Sequence, residues 1–221
     1  MIYLLPLLAV VIGFFISLFI KPSSSTGFQL LLSFSGAFLL SVTVFELLPE
    51  VYTSGNGNIG LFIMLGLLLQ IFLEFLSKGA EHGHMHHEET GKFPILLLVS
   101  LSIHSLLEGF PLNSSEDLLH GVVIHKIPVA AILATFLLHA RISKTKVGLF
   151  LGIFAIMTPL GSWLHSTFEV LDQYALYIYS LVIGVFLHVS TTILFEASKN
   201  HSFNASKLLV IICGILLAYI L

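Results

Sequence analysis

This sequence has little charge: 10% of its 221 residues are Asp, Glu, Lys or Arg, against 57% hydrophobic and a mean hydropathy of +1.02. A soluble domain of this size cannot hide that much apolar surface from water, so the composition excludes one. Nine basic residues against a formal charge of −3 exclude a nucleic-acid binder held by bulk electrostatics. The single cysteine, Cys213, excludes a disulfide framework and leaves the redox compartment open. Long apolar runs are abundant instead, and they point to an all-α, polytopic membrane protein.

Eight such runs fall at 2–20, 28–48, 59–76, 94–112, 118–138, 147–168, 174–195 and 208–221. At roughly 20 residues per crossing they would use about 160 positions and leave only short loops. The expectation is therefore a single transmembrane domain over 1–221, interrupted by one longer polar loop at 78–93. No basic stretch precedes the first run and Lys21 follows it, which reads as a span with its N-terminus outside rather than a cleaved signal peptide. The other basic residues between runs agree. Lys78 and Lys92 lie between runs 3 and 4, Arg141, Lys144 and Lys146 between 5 and 6, and Lys199 and Lys207 between 7 and 8. The intervening connections carry only acids: Glu50, Glu116, Asp117, Glu169 and Asp172. Short basic loops stay in the cytoplasm, so both termini are expected outside. Gly36-Ala-Phe38-Leu39 in run 2 and Gly184-Val-Phe186-Leu187 in the oppositely directed run 7 are compatible with a 3+2+3 inverted repeat, although two Phe/Leu-rich helices also match by chance.

Within the runs ionisable groups are rare, and each costs about 2.5–3.5 kcal/mol at a helix centre unless it has a partner or water. His104 and Glu108 in run 4 are spaced i, i+4 and share one helix face. His125 and Lys126 precede Pro128 in run 5, and Glu46 precedes Pro49 and Glu50 in run 2. Counted from the outer helix ends, with His125 roughly 12 Å in from Asp117, the two imidazoles and two carboxylates can share one layer. That donor set suits Zn²⁺, and also Fe²⁺ or Mn²⁺; the competing reading is ordinary hydrogen bonding between helices. Lys126 needs a carboxylate, Glu108 or Glu46, and either fills the place of a second metal or forms a purely structural pair. Pro111, Pro128 and Pro159 would each free a backbone carbonyl or simply kink a helix.

The loop segment 81–89, Glu-His-Gly-His-Met-His-His-Glu-Glu, places His82, His84, His86 and His87 within six positions. By composition it is a flexible cytoplasmic metal-binding tract, weaker than a preformed site because binding must order it. His120 and His165, near outer helix ends, read as interface histidines that could line an acidic mouth. His139 and His188 lie further in.

With these motifs in view, the chain resembles the ZIP (Zrt/Irt-like) family of divalent-metal transporters over nearly its whole length. His104-Ser105-Leu-Leu-Glu108-Gly109 looks like the family's motif in the fourth span, and His125-Lys126-Ile-Pro128 like that in the fifth. Glu46-Leu-Leu-Pro49-Glu50 is similar to the end of its second span, and Thr158-Pro159-Leu-Gly161 to its sixth. The resemblance implies His104, Glu108 and His125 as metal ligands, with Glu46 where the family often has His. Ser105 and Lys126 are expected as neighbours that modulate the site. Two departures stand out: Val129 replaces an expected ligand, and Lys126 stands where many members have an acid or amide, which puts a second metal ion in doubt.

The function expected is divalent-cation transport, zinc foremost and Fe²⁺, Mn²⁺ or Cd²⁺ besides, into the cytoplasm across the plasma membrane by alternating access. The partners are the lipid bilayer and the metal ions, with no nucleic acid; a homodimer is compatible with the chain. A membrane metal sensor that does not transport is the alternative, motivated by Val129 and Lys126. An intramembrane metalloenzyme is the third class, although no His-Glu-x-x-His is present, and no enzyme activity is expected.

Overall fold

A computed structural model describes residues 1–19, 26–54, 57–77, 93–196 and 205–220, and among these there are helices and turns but no strand. Helix α1 is Leu4–Phe19. α2 (Thr26–Val42) runs through a π turn, Thr43–Leu47, into α3 (Leu48–Ser54). α4 is Ile59–Ser77, and α5 (Ile95–Gly109) ends in a 3-10 turn, Phe110–Asn113. α6 (Glu116–His139), α7 (Lys144–Thr167), α8 (Ala175–Glu196) and α9 (Ala205–Ile220) complete the chain, with a 3-10 segment Glu169–Tyr174 before α8.

Among the described residues six stretches are long and apolar enough to cross a bilayer: Thr26–Ser54, Ile59–Ser77, Ile95–Asn113, Glu116–His139, Lys144–Thr167 and Glu169–Phe195. α1 and α9 are equally apolar but have 16 residues each. Both adjoin residues outside those described. Large apolar side chains face outward, among them Met64, Leu68 and Phe72 of α4 and Leu209 and Leu216 of α9. Such surfaces suit lipid, and helices leave it no unpaired backbone groups. The chain is a multi-pass membrane protein.

Local chemistry explains the interruptions. Pro49 has no N–H to offer and its ring would strike the carbonyl four residues back; the π turn just before it absorbs the misfit, with the Leu48 N–H bonded to the Thr43 carbonyl. Pro111, expected to free a carbonyl or kink its helix, lies outside α5. It opens the 3-10 turn beyond the helix, where a missing N–H is harmless. Ser115 caps α6 by accepting from the Asp117 and Leu118 N–H groups, so α5 and α6 are joined by a short, fixed corner.

The helices pack in two sets. α1 lies against α6 and α5 against α7; α4 lies against α8 and α2 against α9, with α2 also touching α8. Small residues make the tightest seams. A Cβ on Gly161 of α7 would collide with the Leu106 carbonyl oxygen of α5, and one on Gly184 of α8 with the Ile63 carbonyl oxygen of α4. The sets meet where α6 faces α2 and α5 faces α4. α6 is buried on every side over residues 128–135, a stretch of mostly small or branched apolar side chains that lets neighbours close around it.

Candidate metal centre

The i, i+4 spacing on α5 puts His104 and Glu108 one turn apart, with His104 Nε2 2.9 Å from Glu108 Oε1. His125, one turn before the α6 proline-containing segment, faces them. One ligand atom from each of His104, Glu108 and His125 can be chosen so that all lie within 4.8 Å of one another. All three residues are 1–3% exposed, as is Lys126 at 1%. A tetrahedral zinc with bonds of about 2.0–2.1 Å needs donors about 3.3 Å apart, so small side-chain shifts suffice. Three protein donors leave a fourth position open, which an ion in exchange requires. The cavity shared with Val129, Phe154, Val189 and Ile193 is narrow, about 10 Å³. That is room for one water molecule or one dehydrated ion.

A polar shell holds the carboxylate. Lys126 Nζ donates to Glu108 Oε2 at 2.6 Å and to Ser105 Oγ at 2.8 Å, and stands 4.5 Å over the Phe154 ring. Thr158 of α7 donates to the Ser105 carbonyl at 2.9 Å and lies 3.3 Å from Glu108 Oε2. On the other side, His104 Nδ1 lies 2.9 Å from Gln70 Oε1 of α4. One turn along α5, Ser100 Oγ donates to the Leu73 carbonyl at 2.6 Å.

The structure thus brings together His104, Glu108, His125, Lys126 and Ser105 and leaves Glu46 apart. Glu46 is exposed within the π turn, because equal depth along a helix says nothing about the direction in which a side chain points. His82, His84, His86 and His87 lie outside the described residues. His120 is exposed; His165 Nε2 is 3.8 Å from Asp172 Oδ1 and its ring packs 5.6 Å from that of Tyr179. His139 donates to its own helix at the Thr135 carbonyl. His188 Nε2 meets Glu74 Oε2 at 2.5 Å across the α4–α8 seam. Sequence reasoning singles out neither Glu74 nor Gln70. A carboxylate and an amide inside the apolar run 59–76 were the available signal.

No family model matches the chain. Zinc transporter ZIP1 of Danio rerio is 24% identical over 156 residues, covering 63% of this chain and 50% of that protein. The chain is similar in sequence to ZIP-type zinc transporters. ZIP1 of Takifugu rubripes is 28% identical over 87 residues, covering 36% of this chain and 29% of its own length. Protein zntD of Dictyostelium discoideum is 35% identical over 109 residues, covering 38% and 15%. The chain spans at most half the length of these ZIP-type relatives. The comparisons agree with the resemblance carried by the motifs around His104 and His125.

Proposed function

We propose that this protein carries a divalent metal ion, zinc foremost, into the cytoplasm by alternating access, with His104, Glu108 and His125 as its ligands. The observation that supports this most is the convergence of those three buried donors, from two helices, on a cavity the size of one ion. Imidazole and carboxylate together suit Zn²⁺ and tolerate Fe²⁺, Mn²⁺ and Cd²⁺. Lys126 acts as a tethered cation at the second-ion position, so the site takes one ion. Glu46 and the outer acids attract cations toward the mouth rather than ligating at the centre.

The two-set packing supports the movement. The ligands all sit on α5 and α6, in the set with α1 and α7, and that set can shift against α2, α4, α8 and α9. α1 packs on α6 as α7 packs on α5, and α4 on α8 as α9 on α2, the pairing a 3+2+3 inverted repeat produces. Eight crossings with both termini outside, in the plasma membrane, and capture of the released ion by His82 to His87 complete the reading. In sealed proteoliposomes, His104→Ala and Glu108→Ala should reduce Zn²⁺ uptake to background while the protein remains monodisperse. Unaltered uptake refutes the site. The buried Lys126 also favours a second reading, a sensor that binds without transporting; tight zinc binding with no flux across a sealed vesicle selects it.

A further inference from the structure

We infer that Gln70 is a positioning residue for the metal, setting which nitrogen of His104 is offered to the ion and doing so from the opposite helix set. The inference rests on the transport-site reading and extends it to α4, which contributes no ligand. An imidazole binds a metal through one nitrogen only when that nitrogen is bare, so its proton must sit on the other. His104 Nε2 faces Glu108 Oε1 and the cavity, and Nδ1 faces Gln70 Oε1 at 2.9 Å. An amide oxygen opposite Nδ1 holds the proton there, and with it the ring orientation that turns Nε2 to the ion. Partners of this kind typically govern metal affinity by about 10–100-fold.

Location gives the bond a second consequence. Gln70 is fully buried and belongs to α4, in the set with α8, whereas His104 rides on α5. A shift of α5 along α4 by one helical turn, about 5.4 Å, parts the two groups. The bond therefore exists in one register of the two sets and not in the other. In the register where it is broken, His104 loses its orienting partner and the ion is held less tightly. Ser100, bonded to the Leu73 carbonyl one turn away, marks the same register without touching the site.

The test is radiolabelled Zn²⁺ uptake by full-length protein in proteoliposomes, with KM and maximal rate separated. Gln70→Leu removes the acceptor at similar volume and should raise KM about 10–100-fold with the maximal rate within a few-fold of the parent. Gln70→Asn keeps a buried amide but draws it back by one methylene, and should raise KM likewise; it serves if the leucine variant does not fold. Gln70→Glu restores an acceptor opposite Nδ1 and should return KM to within a few-fold of the parent. Unchanged KM in Gln70→Asn, or a loss confined to the maximal rate and not recovered by Gln70→Glu, overturns the inference. If His104→Ala still abolishes uptake in the same assay, only the role of Gln70 has failed. If His104→Ala is silent, the transport site itself has failed.

Discussion

Each oxygen of Glu108 has its own partner, His104 Nε2 on Oε1 and Lys126 Nζ on Oε2, and both partners are buried with it. An isolated carboxylate in this setting would be several kcal/mol less stable, so the ammonium stabilises the carboxylate even when no metal is present. Lys126→Met leaves the charge without that partner and should destabilise the metal-free protein by about 3–5 kcal/mol. Zinc at the His104 side would then recover part of the loss, since it binds the folded state and neutralises the same carboxylate. Thermal melting in detergent should therefore show a lower midpoint that zinc raises more than it does in the parent. An unshifted midpoint, or one no more sensitive to zinc, contradicts this account. At this scale the sequence made the charged members visible, because His104 and Glu108 are rare residues at helical spacing. It hid Gln70, an uncharged group whose role depends on which neighbour it meets, and it gave Thr158 only as part of a motif, without its contact to Glu108. Glu46 lies exposed in the π turn before Pro49, and depth counted along a helix did not reveal that.

Among the elements, contact distance between helices decides whether the polar shell forms. Thr158 reaches Glu108 and the Ser105 carbonyl because α7 and α5 approach at Gly161 and Gly109, where each glycine abuts the other helix's backbone. Gly161→Ala forces a methyl against the Leu106 carbonyl and should cost about 1–3 kcal/mol, with reduced uptake although the residue touches no ligand. Gly152→Ala on the same helix has nothing within 4 Å of the added methyl. It should be neutral or stabilising by up to about 1 kcal/mol, through helix propensity. Melting and uptake of the pair check this directly; equal behaviour of both variants would mean the seam is not what sets the site. Hydropathy located each described α-helix except α3, because a run of apolar residues is a local property. It did not give these seams, which depend on pairs of small residues 50 or so positions apart. Ile20 and Leu221, counted in the apolar runs, lie outside the described residues.

For the whole molecule, the arrangement of helices in two sets predicts which restraints transport tolerates. A bridge inside one set should be harmless, because that set moves as a body; a bridge between sets should stop the cycle. In a Cys213→Ser background, Ala37→Cys with Gly214→Cys joins α2 to α9 within a set, where the added Cβ would stand 3.2 Å from that of residue 37. That spacing is close to the roughly 3.5–4.5 Å of a disulfide, so oxidation should couple the pair with little distortion. Leu73→Cys with Ser100→Cys joins α4 to α5 across the sets, at the place where Ser100 now bonds the Leu73 carbonyl. A short thiol-to-thiol reagent on this second pair should reduce zinc uptake to background, and reversal of the link should restore it. The first pair should transport whether bridged or not. Full cross-linking of residues 73 and 100 with uptake intact would mean that α5 does not travel past α4. The ion would then have to leave a site whose ligands stay in register with Gln70, and release would have to come from side-chain motion at His104 and Glu108 alone.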